Sequence, residues 1–144
     1  MLLLRKFLMF NKRSGRQFPV LKLQLLAKPG KTTSEIASRY SISRPTISNC
    51  IRGTRTSARV NEILLTEWEI SVADAREAYK EHKEREILGN SVTFEEAFEW
   101  MVRKRFEYRT THKGLVTTWE EFRKSQYDLV YPIYKSAFAP RFAA

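Results

Sequence analysis

The sequence predicts an all-α protein, and three observations carry that expectation. Apolar residues recur at helical spacing, as in Val60, Ile63, Leu64 and Trp68, an i, i+3, i+4, i+8 stripe. Several segments open on Ser or Thr followed three residues later by an acid, the signature of a capped helix start. The five glycines and five prolines fall between such segments as punctuation. No alternating β-branched run competes, and Leu115-Val116-Thr117 is the one candidate for a short extended piece.

Taken in order, residues 1–17 read as a basic, apolar N-terminal arm with some helical character. Its start, Met1 to Phe10, resembles a signal peptide. Arg5 and Lys6 nevertheless split the apolar run, and Lys12, Arg13 and Arg16 follow where a small-residue cleavage site would stand. A first helix over 18–28 draws on Val20, Leu21, Leu23, Leu25 and Leu26 and stops at Pro29-Gly30. Two short helices are expected at about 33–40 and 44–52, the second ended by Gly53, then a helix from Ser57 to Trp68. Ser71 and Asp74 cap a charged helix over 72–88 that stops at Gly89-Asn90. Thr93-Phe94-Glu95-Glu96 is a capping box. Its helix gathers Phe94, Ala97, Phe98, Met101 and Val102 on one face. Thr118 to Glu121 is read as another box, opening a helix disturbed at Pro132. Three regions follow: the arm at 1–17, a domain at 18–70, and a helical C-terminal region at 71–144.

Charge separates these regions. The 26 Lys and Arg against 16 Asp and Glu give a net +10, which favours a polyanionic partner. Residues 1–72 hold 13 basic and 4 acidic side chains, a net of +9, whereas residues 73–144 hold 13 and 12. Such asymmetry suggests a front half that meets nucleic acid and a back half with another task. The single Cys50 excludes an internal disulfide framework and fits a reducing cytoplasm. No stretch reaches the roughly 20 apolar residues of a membrane span.

Catalytic chemistry finds no foothold. His82 and His112 lie far apart with no second cysteine, so neither a metal nor a cofactor is expected. The pairs Glu95-Glu96 and Glu120-Glu121 sit in first helical turns, where acids complement the helix dipole. Lys28 to Thr33 lacks the spacing of a phosphate loop. No enzyme and no small-molecule ligand are expected.

The informative segment is Thr33 to Gly53. Ile36, Ala37 and Tyr40 make the inner face of one short helix, Ile42 fills a corner, and Ile47, Cys50 and Ile51 make the inner face of the next. Ser43 is a good N-cap with Pro45 in the first turn, and Gly53 suits a left-handed C-terminus. Arg44, Pro45, Ser48, Asn49 and Arg52 then face outward. Short polar groups and arginines of this kind suit a major groove.

Over about residues 20–70 this pattern resembles the lambda-repressor-like (XRE) helix-turn-helix family, including the Ser-Arg-x-Thr-Ile-Ser start and closing Arg-Gly of the recognition helix. The run from Ile51-Arg52-Gly53 through Arg55, Ser57, Arg59 and Val60 to Ile63 is also similar to small regulators of Mu-like phages. Ser41 departs from the family, standing where glycine is usual; it takes a left-handed penalty of about 1–2 kcal/mol or the turn adjusts. The resemblance implies that Arg44 reaches a guanine edge, Ser48 or Asn49 a base edge, and Pro45 a thymine methyl. Thr33 and Arg52 would hold phosphates, with Arg55 and Arg59 adding to them. Lys12, Arg13 and Arg16 are candidates for a minor-groove arm.

Alternatives stay open at this level. The corner could be a helical turn that touches no DNA, and Cys50 reads as core filler ahead of a redox sensor. The aromatic residues of 91–138 suit self-association or a partner surface, or else one intramolecular core. The expected function is a double-stranded-DNA-binding transcriptional regulator of phage or prophage origin. It would act as a homodimer or higher homo-oligomer on the nucleoid of a bacterial host. Rivals are a small-terminase-type packaging protein and a helix-turn-helix that binds protein.

Overall fold

The computed structural model describes residues 21–26 and 31–142, and all regular structure among them is helical. The chain runs through α1 (Leu21–Gln24), α2 (Thr33–Arg39), α3 (Arg44–Arg52) and α4 (Ala58–Trp68). It continues through α5 (Val72–Ile87), α6 (Phe94–His112), α7 (Trp119–Leu129) and α8 (Tyr131–Phe142). The expected arm, with Lys12, Arg13 and Arg16, and both ends of the expected first helix lie outside the described residues. Leu115-Val116-Thr117 is a loop between α6 and α7, not a strand. No helix among the described residues is long and apolar enough to cross a membrane.

Local chemistry sets the helix starts. Ser43, Ser57, Ser71, Thr93 and Thr118 each accept a hydrogen bond from the backbone N–H three residues on. Each such cap contributes about 1 kcal/mol by satisfying an otherwise orphaned donor. Thr93 and Glu96 form the full reciprocal box. At Thr118 only half of the expected box forms: Thr118 Oγ1 accepts from the Glu121 N–H, and the Glu121 carboxylate takes the Thr118 hydroxyl and not its N–H. The disturbance expected at Pro132 is a break: α7 ends at Leu129, and Pro132 stands in the first turn of α8, where its missing N–H is not needed.

One core joins all of these helices. Leu23 of α1, with Leu25 and Leu26 just after it, is buried with residues of α2 to α6 and with Phe122, Tyr134 and Phe138 from α7 and α8. The expected boundary at 70/71 therefore falls inside continuous packing. Ile70, Val72, Ala75 and Ala78 are all buried, and α5 lies against α1, α3 and α4. What made 71–144 look separate was its charge balance, which says nothing about packing.

The aromatic residues of the second half largely close this core. Phe98 meets Tyr127, Tyr131 and Tyr134 edge-on at centroid distances of 4.9, 5.1 and 6.0 Å. Phe106 packs on Trp119 and Phe122. Leu129 and Ile133 stay outside it, 68% and 65% exposed. Beneath the aromatics, Glu69 holds two arginines of α6: Arg109 Nε at 2.8 Å and Arg105 Nε at 3.2 Å.

Two positions carry left-handed backbone that matters for the turn and end of α3. Ser41 has φ +55°, and Gly53 has φ +92°. A Cβ on Gly53 would lie 3.3 Å from Cδ and Nε of Arg76. Ser41→Gly is expected to raise stability by roughly 0.5–1 kcal/mol, since relief of the left-handed penalty exceeds the added chain entropy. Gly53→Ala should lower it by about 1–2 kcal/mol. Urea denaturation of the two variants checks both signs.

Candidate nucleic-acid interface

The segment from Thr32 to Gly53 folds as two short helices meeting at a tight corner. Thr32, not Thr33, caps α2: its Oγ1 accepts from the Glu35 N–H, and the Glu35 carboxylate accepts from the Thr32 N–H, each at 3.2 Å. At the other end, the Tyr40 N–H returns to the Ile36 carbonyl at 3.0 Å. The left-handed Ser41 then turns the chain so that the Ile42 N–H reaches the Ala37 carbonyl at 2.9 Å. This is the pattern that ends a helix with a left-handed residue, and serine takes the strain that glycine would avoid. Ala37, small and buried, lies where the two helices approach.

The inner faces are those expected. Ile36 and Ala37 of α2, and Ile47, Cys50 and Ile51 of α3, are buried, and Tyr40 and Ile42 pack against the core half-buried. Cys50 is a free, buried thiol, which suits core filler. From behind, Arg76 of α5 donates from Nη2 to the Cys50 carbonyl at 2.9 Å, and from Nε to the same oxygen at 3.3 Å. A cation at that end also complements the α3 dipole.

The outward face gathers most of the residues named from sequence. Arg44, Pro45 and Arg52 are exposed, and Ser48 and Asn49 are half-buried beside them along α3. Arg55 and Arg59 extend this exposed face past Gly53. Arg44 makes a long 3.4 Å bond to the Ser34 hydroxyl of α2, and Arg59 donates to the Tyr40 carbonyl at 2.9 Å. Arg52 and Arg55 make no hydrogen bond or ion pair among the described residues. None of these four arginines is paired with a carboxylate among the described residues.

Elsewhere cations are mostly neutralised. Lys22 pairs with Glu81, Arg85 with Glu96, Lys104 with Asp74, Arg109 with Glu69, Arg123 with Glu99 and Lys135 with Glu95, all between 2.6 and 3.2 Å. Among the described residues Arg76, Lys80 and Lys113 also lack an ion pair, but the four arginines from Arg44 to Arg59 are the densest run of such cations along the sequence.

Thr33 does not belong to that face. It is 0% exposed, and its hydroxyl is buried without a hydrogen-bond partner, so its side chain is part of the core and cannot hold a phosphate. With Thr32 as the N-cap, Thr33 is the first helical residue of α2, and its side chain is turned inward.

Sequence reasoning also missed Glu67. Its carboxylate accepts from the Tyr40 hydroxyl at 2.6 Å and from Arg39 Nη1 at 2.7 Å, and lies 3.5 Å from Lys31 Nζ. Arg39 and Lys31 are thereby withdrawn from the free positive face. Burial pushes the Glu67 carboxyl up, but Tyr40, Lys31 and Arg39 outweigh it and hold it below its ordinary 4.5. The same bond raises the Tyr40 phenol. No signal in the sequence pairs Glu67 with groups some 30 residues away.

No family model, curated protein or solved structure matches the chain.

Two outcomes follow from this geometry. Thr33→Val should keep or raise stability by about 1 kcal/mol, because it removes an unsatisfied buried hydroxyl at nearly constant shape. It should also leave any DNA affinity within about twofold, since a buried group contributes nothing at the surface. The contribution of Glu67 is present above its unfolded pKa and lost as pH falls through the lower folded value. Denaturation of wild type and Glu67→Gln should therefore show a stability gap that is constant near neutrality and closes as the pH falls below 4.5.

Proposed function

We propose that the chain binds double-stranded DNA by laying α3 in the major groove, as a lambda-repressor-like transcriptional regulator of phage or prophage origin. The observation that carries this is the segregation of charge. Arg44 and Arg52 on α3, Arg55 after it and Arg59 at the start of α4 lie exposed with no carboxylate partner among the described residues, while most cations elsewhere are paired. Leaving four arginines unneutralised on a small surface costs self-repulsion, which a row of phosphates would offset.

Within that face the side chains divide by reach. Arg44, at the first turn of α3, has a fork that matches the O6 and N7 acceptors of guanine, and Ser48 and Asn49 follow one turn on. Pro45 has no donor and offers only an apolar edge. Arg52 and Arg55 stand at and past the end of α3, and Arg59 sits by the turn before it, on the Tyr40 carbonyl, positions from which phosphates on either side could be reached. A nine-residue α3 spans only a few base pairs. Two copies on half-sites one helical turn apart are therefore part of the proposal.

A salt titration of binding to duplex DNA tests the proposal. With three phosphates neutralised per protomer and two copies bound, affinity should fall roughly 2,000-fold between about 50 and 200 mM salt. Binding insensitive to salt would exclude phosphate neutralisation and favour a protein partner for the same corner. Arg44→Ala should cost about 1–3 kcal/mol on a preferred site and little on random DNA. Arg52→Ala should weaken binding to every sequence alike and reduce the salt slope by about 1. Equal losses on both DNAs for Arg44→Ala would remove it from base recognition.

A further inference from the structure

Behind the helix-turn-helix, a cavity of about 480 Å³ opens between the C-terminal end of α4, α6 and α8. That volume lies within the roughly 300–1,000 Å³ of small-molecule sites. Trp68, Val130, Ile133 and Ala137 give it apolar walls. Lys31, Arg105 and Arg109 line it together with Glu67 and Glu69, three cations against two carboxylates.

The carboxylates are already committed. Glu67 is held from outside the cavity by Arg39 and the Tyr40 hydroxyl. Glu69 serves two guanidiniums at once, with both its oxygens on Arg109 at 2.8 and 3.2 Å. Arg105 is only 9% exposed, and its Nε lies 3.2 Å from Glu69 yet makes no hydrogen bond. Its other nitrogens meet neutral acceptors, Gln126 at 3.3 Å and the Tyr134 hydroxyl at 2.8 Å. A largely buried guanidinium that shares its counter-charge with a neighbour leaves one positive charge in surplus beside an apolar wall.

We propose that this cleft binds a small monocarboxylate with a flat aromatic or short aliphatic body. The carboxylate would accept from Nη1 of Arg109, the nitrogen that Glu69 leaves over, beside the surplus charge of Arg105, and the body would lie against Trp68 and Ile133. This site departs from the expectation that the chain has no small-molecule ligand. It stands whether or not α3 binds DNA.

Calorimetric titration with 1-naphthoate, and with neutral 1-naphthalenemethanol as its uncharged counterpart, tests it on the full chain. Naphthoate should bind saturably and about tenfold more tightly than the alcohol, the margin of one charge-assisted hydrogen bond. Arg109→Gln, at a half-buried position that leaves Glu69 paired with Arg105, should bring naphthoate down to the affinity of the alcohol without changing the alcohol itself. Ala137→Trp, which fills the cavity from its exposed rim, should abolish both. Absence of saturable naphthoate binding, equal affinity for acid and alcohol, or binding that survives Ala137→Trp would each overturn the proposal.

Discussion

The bond from Arg76 to the carbonyl of Cys50 fixes the one helix on which the proposed function turns. At 2.9 Å it ties α5 to the last turn of α3, directly beneath Gly53. With Ile47, Cys50 and Ile51 buried against α2, α4 and α5, α3 is held along its inner face and at its C-terminal end. Only one side remains to meet another molecule. A helix so held can present side chains at fixed spacing, which groove recognition requires, because a displaced donor loses its acceptor.

This constraint explains why the second half of the chain matters to the first. α5 supports α3, the residues around α1 lie between α5 and α6, and α7 and α8 close over α6 with the aromatic cluster around Phe98. The same half carries most of the acids, and many of them are spent on local cations. Arg85 with Glu96, Arg123 with Glu99 and Lys104 with Asp74 brace helix against helix. Exposed pairs of this kind add little stability each. Their consequence is electrostatic: they quench the field of the supporting half and leave that of α3 standing.

Much of the motif was legible because its determinants are local. Ser43, Pro45 and Gly53 act through neighbours at most four residues away, so the bounds of α3 follow from the sequence alone. The left-handed conformation at Ser41 was legible from the departure from glycine at the turn. Residues whose surroundings come from distant segments were not. Thr33 looked like a surface anchor, but its inward turn depends on the cap at Thr32 and the helices packed behind it. Arg39 and Lys31 counted as free charge until Glu67 was found against them. The continuity of packing across 70/71 was hidden because charge balance changes there and the hydrophobic core does not.

The central claim is that α3 reads base pairs, and selection of bound fragments from random duplex DNA tests it most directly. A single recurrent site is expected, with inverted half-sites one helical turn apart, and its enrichment should vanish when Arg44, Ser48 and Asn49 are replaced together by alanine. Recovery of unselected sequence, or the same site from the triple variant, would contradict the assignment of α3 as the reading helix.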